Sequence, residues 1–226
     1  MSAKSSNILR MSFAMIGWLS VALQLYLSIQ LAVANGKTVL TGAIIFISFF
    51  TILTNILVCL VLSYSSTTSK PVSWLGKFFS NPLVASGVAV SIAMVGIIYH
   101  LLLRKIWNPQ GFQLIADVSL HYLMPTLFII YWALFVNKAG LRWLHCIIWC
   151  VYPIAYLCYS LVRGKITGSY PYPFIDVITI GYQQALINSA GLLVCFVLLG
   201  LVFVAIGKLI HKIHQKVSSW KNNGFG

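Results

Sequence analysis

Asp117 and His121 stand four residues apart in the stretch ADVSLHYLMP (116–125), so on a helix they share one face. A carboxylate one turn from an imidazole can fix the ring's tautomer and stabilise its protonated form. An imidazole held in that way is a base for a hydroxyl or a water. The pair stands out because Asp117 and Asp176 are the only acidic residues in the chain, against 15 Lys and Arg. Gln113, Asp117 and His121 continue the same face at i, i+4 and i+8. Hydroxyls recur in a second segment, where Thr41, Ser48, Thr51, Asn55 and Cys59 follow helical spacing with Thr54 alongside. Tyr152, Tyr156, Tyr159 and Arg163 form a third stripe, and Gln184, Asn188 and Cys195 a fourth. Taken singly, Ser, Thr and Asn are hydrogen-bond glue between helices. An ionisable pair in apolar surroundings is different, because it must find partners or neutralise.

The segments that carry these stripes are apolar enough to sit in lipid. Of 226 residues 60% are hydrophobic and only 8% charged, where a soluble domain carries about 25%. A bilayer span needs about 20 mostly apolar residues, and six runs qualify: 11–32, 39–63, 83–103, 114–136, 143–162 and 184–207. The expected fold is an all-α polytopic membrane helix bundle of six transmembrane helices, a single integral membrane domain over 1–226 with a basic tail at 208–226. Ala32-Val33-Ala34 resembles a signal-peptidase site, but the apolar run before it exceeds a signal core and reads as a retained helix. No internal repeat and no pair of broken helices is evident. The positive charges punctuate the ends of apolar runs, as membrane topology requires, and form no nucleic-acid-binding cluster.

An even number of spans puts both termini on one side. That side carries Lys4, Arg10, Lys70, Lys77, Lys138, Arg142, Lys208, Lys212, Lys216 and Lys221, and the other carries Lys37, Arg104, Lys105, Arg163 and Lys165. The positive-inside bias therefore predicts cytoplasmic termini, and the tail KLIHKIHQKVSSWK reads as a juxtamembrane helix on anionic headgroups. On this topology both acids, His100 and His121 gather in the non-cytoplasmic half. At ~1.5 Å per residue His121 lies on the order of 10 Å inside and Thr51 about 18 Å along its own span. Tilt or bending would be needed to bring the two together. RGKITGSYPYPFIDVITIGY, between the fifth and sixth runs, is a stiff aromatic segment that reads equally as an interfacial belt or as a lid over a cavity. Cys146 and Cys150, with His145 beside them, lack the further Cys/His pair of a four-ligand site, so no metal is expected.

Three blocks, in order, resemble a known family: FFTILTN (49–55), DVSLHYLMP (117–125) and TGSYPYPFI (167–175). Together they make most of the chain from about residue 40 to 207 similar to the androgen-induced, FAR-type multi-pass membrane proteins and their bacterial relatives. The resemblance implies a hydrolase of fatty acid esters of hydroxy fatty acids with an intramembrane threonine nucleophile and a histidine, in a bacterial inner membrane. It puts Thr51 at the nucleophile position and His121 at the histidine. Where this chain has Asp117 the family's animal members have an amide, and their proline falls one position later.

On that reading His121 takes the proton of Thr51, with Thr54 close enough to compete as nucleophile. Asp117 orients the base as a third triad member does, unless Tyr152, Tyr156 or Asn188 does so instead. Asn55 or a tyrosine hydroxyl stabilises the oxyanion, and Asp176 lies in the loop on the same side. The partners implied are membrane lipids and a lipid-ester substrate, with no cofactor and no nucleic acid. Two other classes compete: a small transporter or scaffold whose polar stripes line a solute path, and a b-type haem protein with His100 and His121 as axial ligands.

Overall fold

In lipid every backbone N–H and C=O must be satisfied within the protein, and a helix does this along its own length. The computed structural model describes residues 3–65 and 73–223, and over them the chain forms helices and connections only. Lys70 and residues 224–226 of the basic tail lie outside the described residues. In chain order the helices are α1 (Ala3–Ala34), α2 (Val39–Phe46), α3 (Phe50–Ser65), α4 (Trp74–Phe79) and α5 (Pro82–Ile98), which runs on into a π-helical turn at Tyr99–Leu103. Next come α6 (Phe112–Val118), a second π turn at Ser119–Leu123 and α7 (Met124–Phe135). After these, α8 (His145–Ile148) leads into α9 (Val151–Thr167), and a 3₁₀ turn at Pro173–Ile175 precedes α10 (Val177–Asn223).

Among the described residues five segments are long and apolar enough to cross a membrane: Ser5–Ala34, Pro82–Leu103, Phe112–Phe135, His145–Thr167 and Val177–Ser219. The chain is a multi-pass integral membrane protein. The second predicted span departs from expectation: 39–63 is not one helix but α2 and α3, bent by 77°. A broken helix is therefore present where none was read from the sequence. No Gly or Pro stands at residues 47–49 to announce it. The backbone groups freed by the break are picked up by tyrosines, which is how irregular backbone survives inside a bundle. Tyr156 donates to the Ser48 carbonyl at 2.8 Å and Tyr159 to that of Ile47 at 3.5 Å. The tyrosine stripe of α9 is thus the brace for a break more than a hundred residues earlier.

The sixth span also differs from its predicted limits. It starts at Val177, is interrupted by a non-helical Gly181, and runs on to Asn223 without a further break. The basic tail is a continuation of α10 and not a separate surface helix. At the centre of the bundle Val58, Leu62, Ile92, Met124, Phe128, Trp132 and Phe196 are each 2% exposed or less. Lipid tails are as apolar as these side chains, so close packing, not release of water, holds them there. Leu19, Leu101, Leu134, Val162 and Leu198 point outward, as lipid-facing positions should.

Candidate active site

The two π turns pack directly against each other. A π turn adds a residue to the hydrogen-bonded ring and re-aims the side chains around it. Here Tyr99 and His121 stack with ring centroids 3.9 Å apart and planes 17° from parallel. The Tyr99 hydroxyl donates to Oδ2 of Asp117, which is only 4% exposed. His121 Nδ1 lies 3.0 Å from the Asp117 carbonyl oxygen and 3.2 Å from its Oδ1. Both of those atoms accept, so the partners assign the ring proton to Nδ1 and leave Nε2 as an acceptor. Nε2 faces Thr51, with 3.3 Å to its Oγ1.

Thr51 reaches this position because of the broken span. The predicted 18 Å treated residues 39–51 as one straight helix, but α2 and α3 meet at 77°, so that distance along a single axis does not apply. The break also makes Thr51 the second residue of α3, at a helix N-terminus inside the bundle. Its N–H and its Oγ1 each lie 3.4 Å from the hydroxyl of Tyr172. Helix N-termini favour negative charge, so this is a place where an oxyanion would be met by N–H groups and a phenol. Burial pushes the Tyr172 phenol above its ordinary range, against the opposing pull of the Thr51 hydroxyl and N–H. It therefore stays protonated and able to donate.

Tyr172 arrives from the aromatic strap between α9 and α10. The strap leaves α9 at Gly168 and meets the break in α10 at Gly181, with φ of 65° and 75°, which L side chains rarely adopt. Arg163 donates to the Ser169 carbonyl at 2.9 Å, and Asn188 to that of Phe174 at 3.0 Å. Tyr172 and Phe174 stack at 5.1 Å, and Phe49 meets Tyr172 edge-on at 5.8 Å. Of the two readings of this segment, a belt or a cover, the contacts describe a cover seated on Thr51.

The remaining predicted residues fall into other roles. Asn55 is fully buried, and its two amide hydrogens go to the carbonyls of Thr51 at 2.8 Å and Leu120 at 3.2 Å. It ties α3 to the second π turn and has no donor left for an oxyanion, which corrects that expectation. Thr54 is fully buried against the Tyr152 hydroxyl at 2.9 Å, so Thr51 is the threonine beside His121. Tyr152 and Tyr156 brace the broken span, and Asn188 holds the strap. None of them orients His121, whose Nδ1 is taken by Asp117. Asp176 accepts from the Ile178 N–H at 3.1 Å and the Thr179 hydroxyl at 2.9 Å, so it caps the start of α10.

A cavity of about 320 Å³ shares Thr51, Tyr99 and Tyr172 as wall residues and is otherwise mostly apolar. Ile154 of α9 and Leu186 of α10 line it while 45% and 52% exposed, so it opens at the bundle surface between α9 and α10. Buried Met94 and Phe196 close it toward the core. His100 pairs with the Tyr122 hydroxyl at 3.2 Å, while both ring nitrogens of His121 are engaged and its face is covered by Tyr99. The two histidines do not present an axial pair. Cys146 and Cys150 donate to carbonyls of Trp143 and Cys146, and no group of three metal ligands occurs among the described residues.

Sequence reasoning missed Tyr99 and Tyr172. Tyr99 carried no signal beyond its place next to His100, and Tyr172 lay within the quoted TGSYPYPFI block without a role. No family model, curated protein or solved structure matches this chain.

Proposed function

We propose that the protein is an intramembrane lipid-ester hydrolase with Thr51 as nucleophile and His121 as general base, of the type that cleaves fatty acid esters of hydroxy fatty acids. The observation that supports it best is one contact: Thr51 Oγ1 beside the acceptor nitrogen of His121, whose other nitrogen is tied to Asp117. A threonine hydroxyl is a weak nucleophile until a positioned base removes its proton. As Oγ1 bonds to the ester carbonyl carbon, its proton passes to Nε2. Charge gathers on the carbonyl oxygen near the Tyr172 hydroxyl and the Thr51 N–H. The C–O bond to the leaving alcohol then breaks, and the imidazolium returns the proton to the departing oxygen. Water, deprotonated by the same nitrogen, cleaves the acyl-threonine and frees the carboxylic acid.

Asp117 stabilises the imidazolium, and Tyr99 in turn holds Asp117 and covers the ring face. The acyl chain occupies the apolar cavity, reached sideways from the bilayer between α9 and α10. The resemblance to the FAR-type family is part of this reading, as are six spans, cytoplasmic termini and a bacterial inner membrane.

The test is labelling of the purified protein with a fluorophosphonate probe, alongside hydrolysis of a fatty acyl ester. Wild type is expected to label and turn over, and Thr51→Ala and His121→Ala to do neither while remaining monodisperse in detergent. Turnover persisting in both variants would end the proposal, and labelling of Thr51→Ala would move the nucleophile elsewhere.

A further inference from the structure

The π turn at Tyr99–Leu103 divides two hollows. Ile98 and Leu103 line the apolar cavity beside Thr51, while His100 and Arg104 line a second hollow of about 480 Å³. Tyr99 is a wall of both. The second hollow reaches buried Asp117 and is bounded further by Tyr122 and the polar loop that holds Asn108 and Gln110. Between Thr51 Oγ1 and Asp117 stands one imidazole ring, with contacts of 3.3 and 3.2 Å on its two sides. Arg104 is the first residue beyond the apolar span Pro82–Leu103, so the hollow stands at headgroup level.

The groups around this hollow are donors left unused. Arg104 is exposed and makes no hydrogen bond or ion pair among the described residues, where the one ion pair is His121 with Asp117. His100 meets the Tyr122 hydroxyl through Nδ1, and its Nε2 is left over. Gln110 donates to Asn108 Oδ1 at 3.1 Å, which leaves the Asn108 amide nitrogen over as well. Asp117 does not answer them, because its Oδ2 takes the Tyr99 proton and its Oδ1 faces His121. An arginine at a membrane edge ordinarily just keeps its head in water. Arg104 differs in lining a concave, donor-rich hollow that shares a wall with the candidate active site. A planar guanidinium in such a place fits a carboxylate, which it can bind through two hydrogen bonds at once.

An ester held at Thr51 has two arms, and the acyl arm fits the apolar cavity. A free carboxylate on the alcohol arm would be costly there and is stabilised around the end of the π turn instead. We infer, resting on the hydrolase reading, that the second hollow is a carboxylate subsite. Arg104, with His100 beside it, binds the free acid group on the alcohol arm and so selects esters of hydroxy acids. A phospholipid phosphate shares that chemistry, and one arm of the test separates it.

The test pairs a fatty acyl ester of a hydroxy fatty acid with the same molecule capped as its methyl ester, cleavage being read at the internal ester. Wild type is expected to favour the free acid in kcat/KM by about ten- to a hundredfold, the worth of a hydrogen bond to a charged group. Arg104→Gln should lose that preference by slowing on the acid alone, with the methyl ester within about threefold of wild type. Arg104→Lys, which keeps the charge and loses the fork, should fall between the two. Equal kcat/KM for acid and capped ester in wild type, or an equal loss on both in Arg104→Gln, overturns the inference.

If wild type cleaves neither ester, the hydrolase reading fails and binding tests the hollow by itself. The thermal midpoint of the full-length protein in an uncharged detergent is expected to rise with the hydroxy fatty acid. It should not rise with the methyl ester of that acid, nor with the acid in Arg104→Gln. A rise with phosphatidylglycerol but not with the acid assigns Arg104 to headgroups and overturns the carboxylate subsite. So does an acid that moves wild type and Arg104→Gln alike.

Discussion

His121, half-buried, and Lys138, buried, lie in opposite halves of the bundle, and their surroundings follow different rules. His121, Asp117, Tyr99, Thr51 and Tyr172 bond to one another, mostly side chain to side chain and across elements. Lys138, only 5% exposed, instead gives its ammonium hydrogens to the carbonyls of Trp132, Ala133 and Val136 at 2.6, 3.0 and 2.5 Å. It thereby closes the end of α7 and lies 4.9 Å from the Trp132 ring. Ser86 and Ser91 likewise donate to carbonyls one turn back in their own helix. Polar groups that answer to their own backbone stabilise the bundle. A chain of polar side chains ending on a hydroxyl in an apolar cavity has atoms to spare for a ligand.

That contrast breaks first at Thr51, the proposed nucleophile. Thr51→Ala and His121→Ala should each lower kcat by about 10⁴-fold or more with little change in thermal midpoint. A loss that merely tracked unfolding would make this end structural too. Asp117→Asn should cost about 10³- to 10⁴-fold in kcat, because an amide can leave the imidazole in the wrong tautomer. Unchanged turnover would show that the Asp117 carbonyl alone orients the ring. For Tyr172→Phe, which removes one donor to the proposed oxyanion, about a hundredfold loss in kcat with KM near wild type is expected.

At the other end the prediction reverses. Lys138→Met should leave kcat/KM unchanged and lower the thermal midpoint, since orphaned carbonyls at the end of α7 cost about 1–3 kcal/mol. Its pH dependence has a definite sign. Burial pulls the Lys138 ammonium down from 10.5 to about 8. Between those values the unfolded chain holds a proton that the folded chain has lost, so stability rises with pH across that window. The rise should be present in wild type and absent in Lys138→Met when midpoints are compared across the window. Thr54→Val should have the smallest effect on chemistry, within about threefold in kcat, because its hydroxyl serves Tyr152 and not His121. A large loss of activity there would erase the distinction between the two threonines.

The membrane class and five of the six apolar runs were legible because they depend on composition and length within about 20 residues. The Asp117–His121 pair was legible for the same kind of reason: four residues on a helix is a local distance. The sequence by itself therefore determined an all-helical bundle and one half of the candidate site. Tertiary structure alone decided the other half. Thr51 meets His121 across 70 residues and Tyr172 across 121, and neither approach leaves a trace in periodicity. The break between α2 and α3 was equally hidden, since no Gly or Pro causes it and the tyrosines that satisfy it sit in α9. A helix breaks inside a membrane where distant side chains can replace the hydrogen bonds it gives up. That condition belongs to the packed bundle, and it is what placed Thr51, and not Thr54, beside His121.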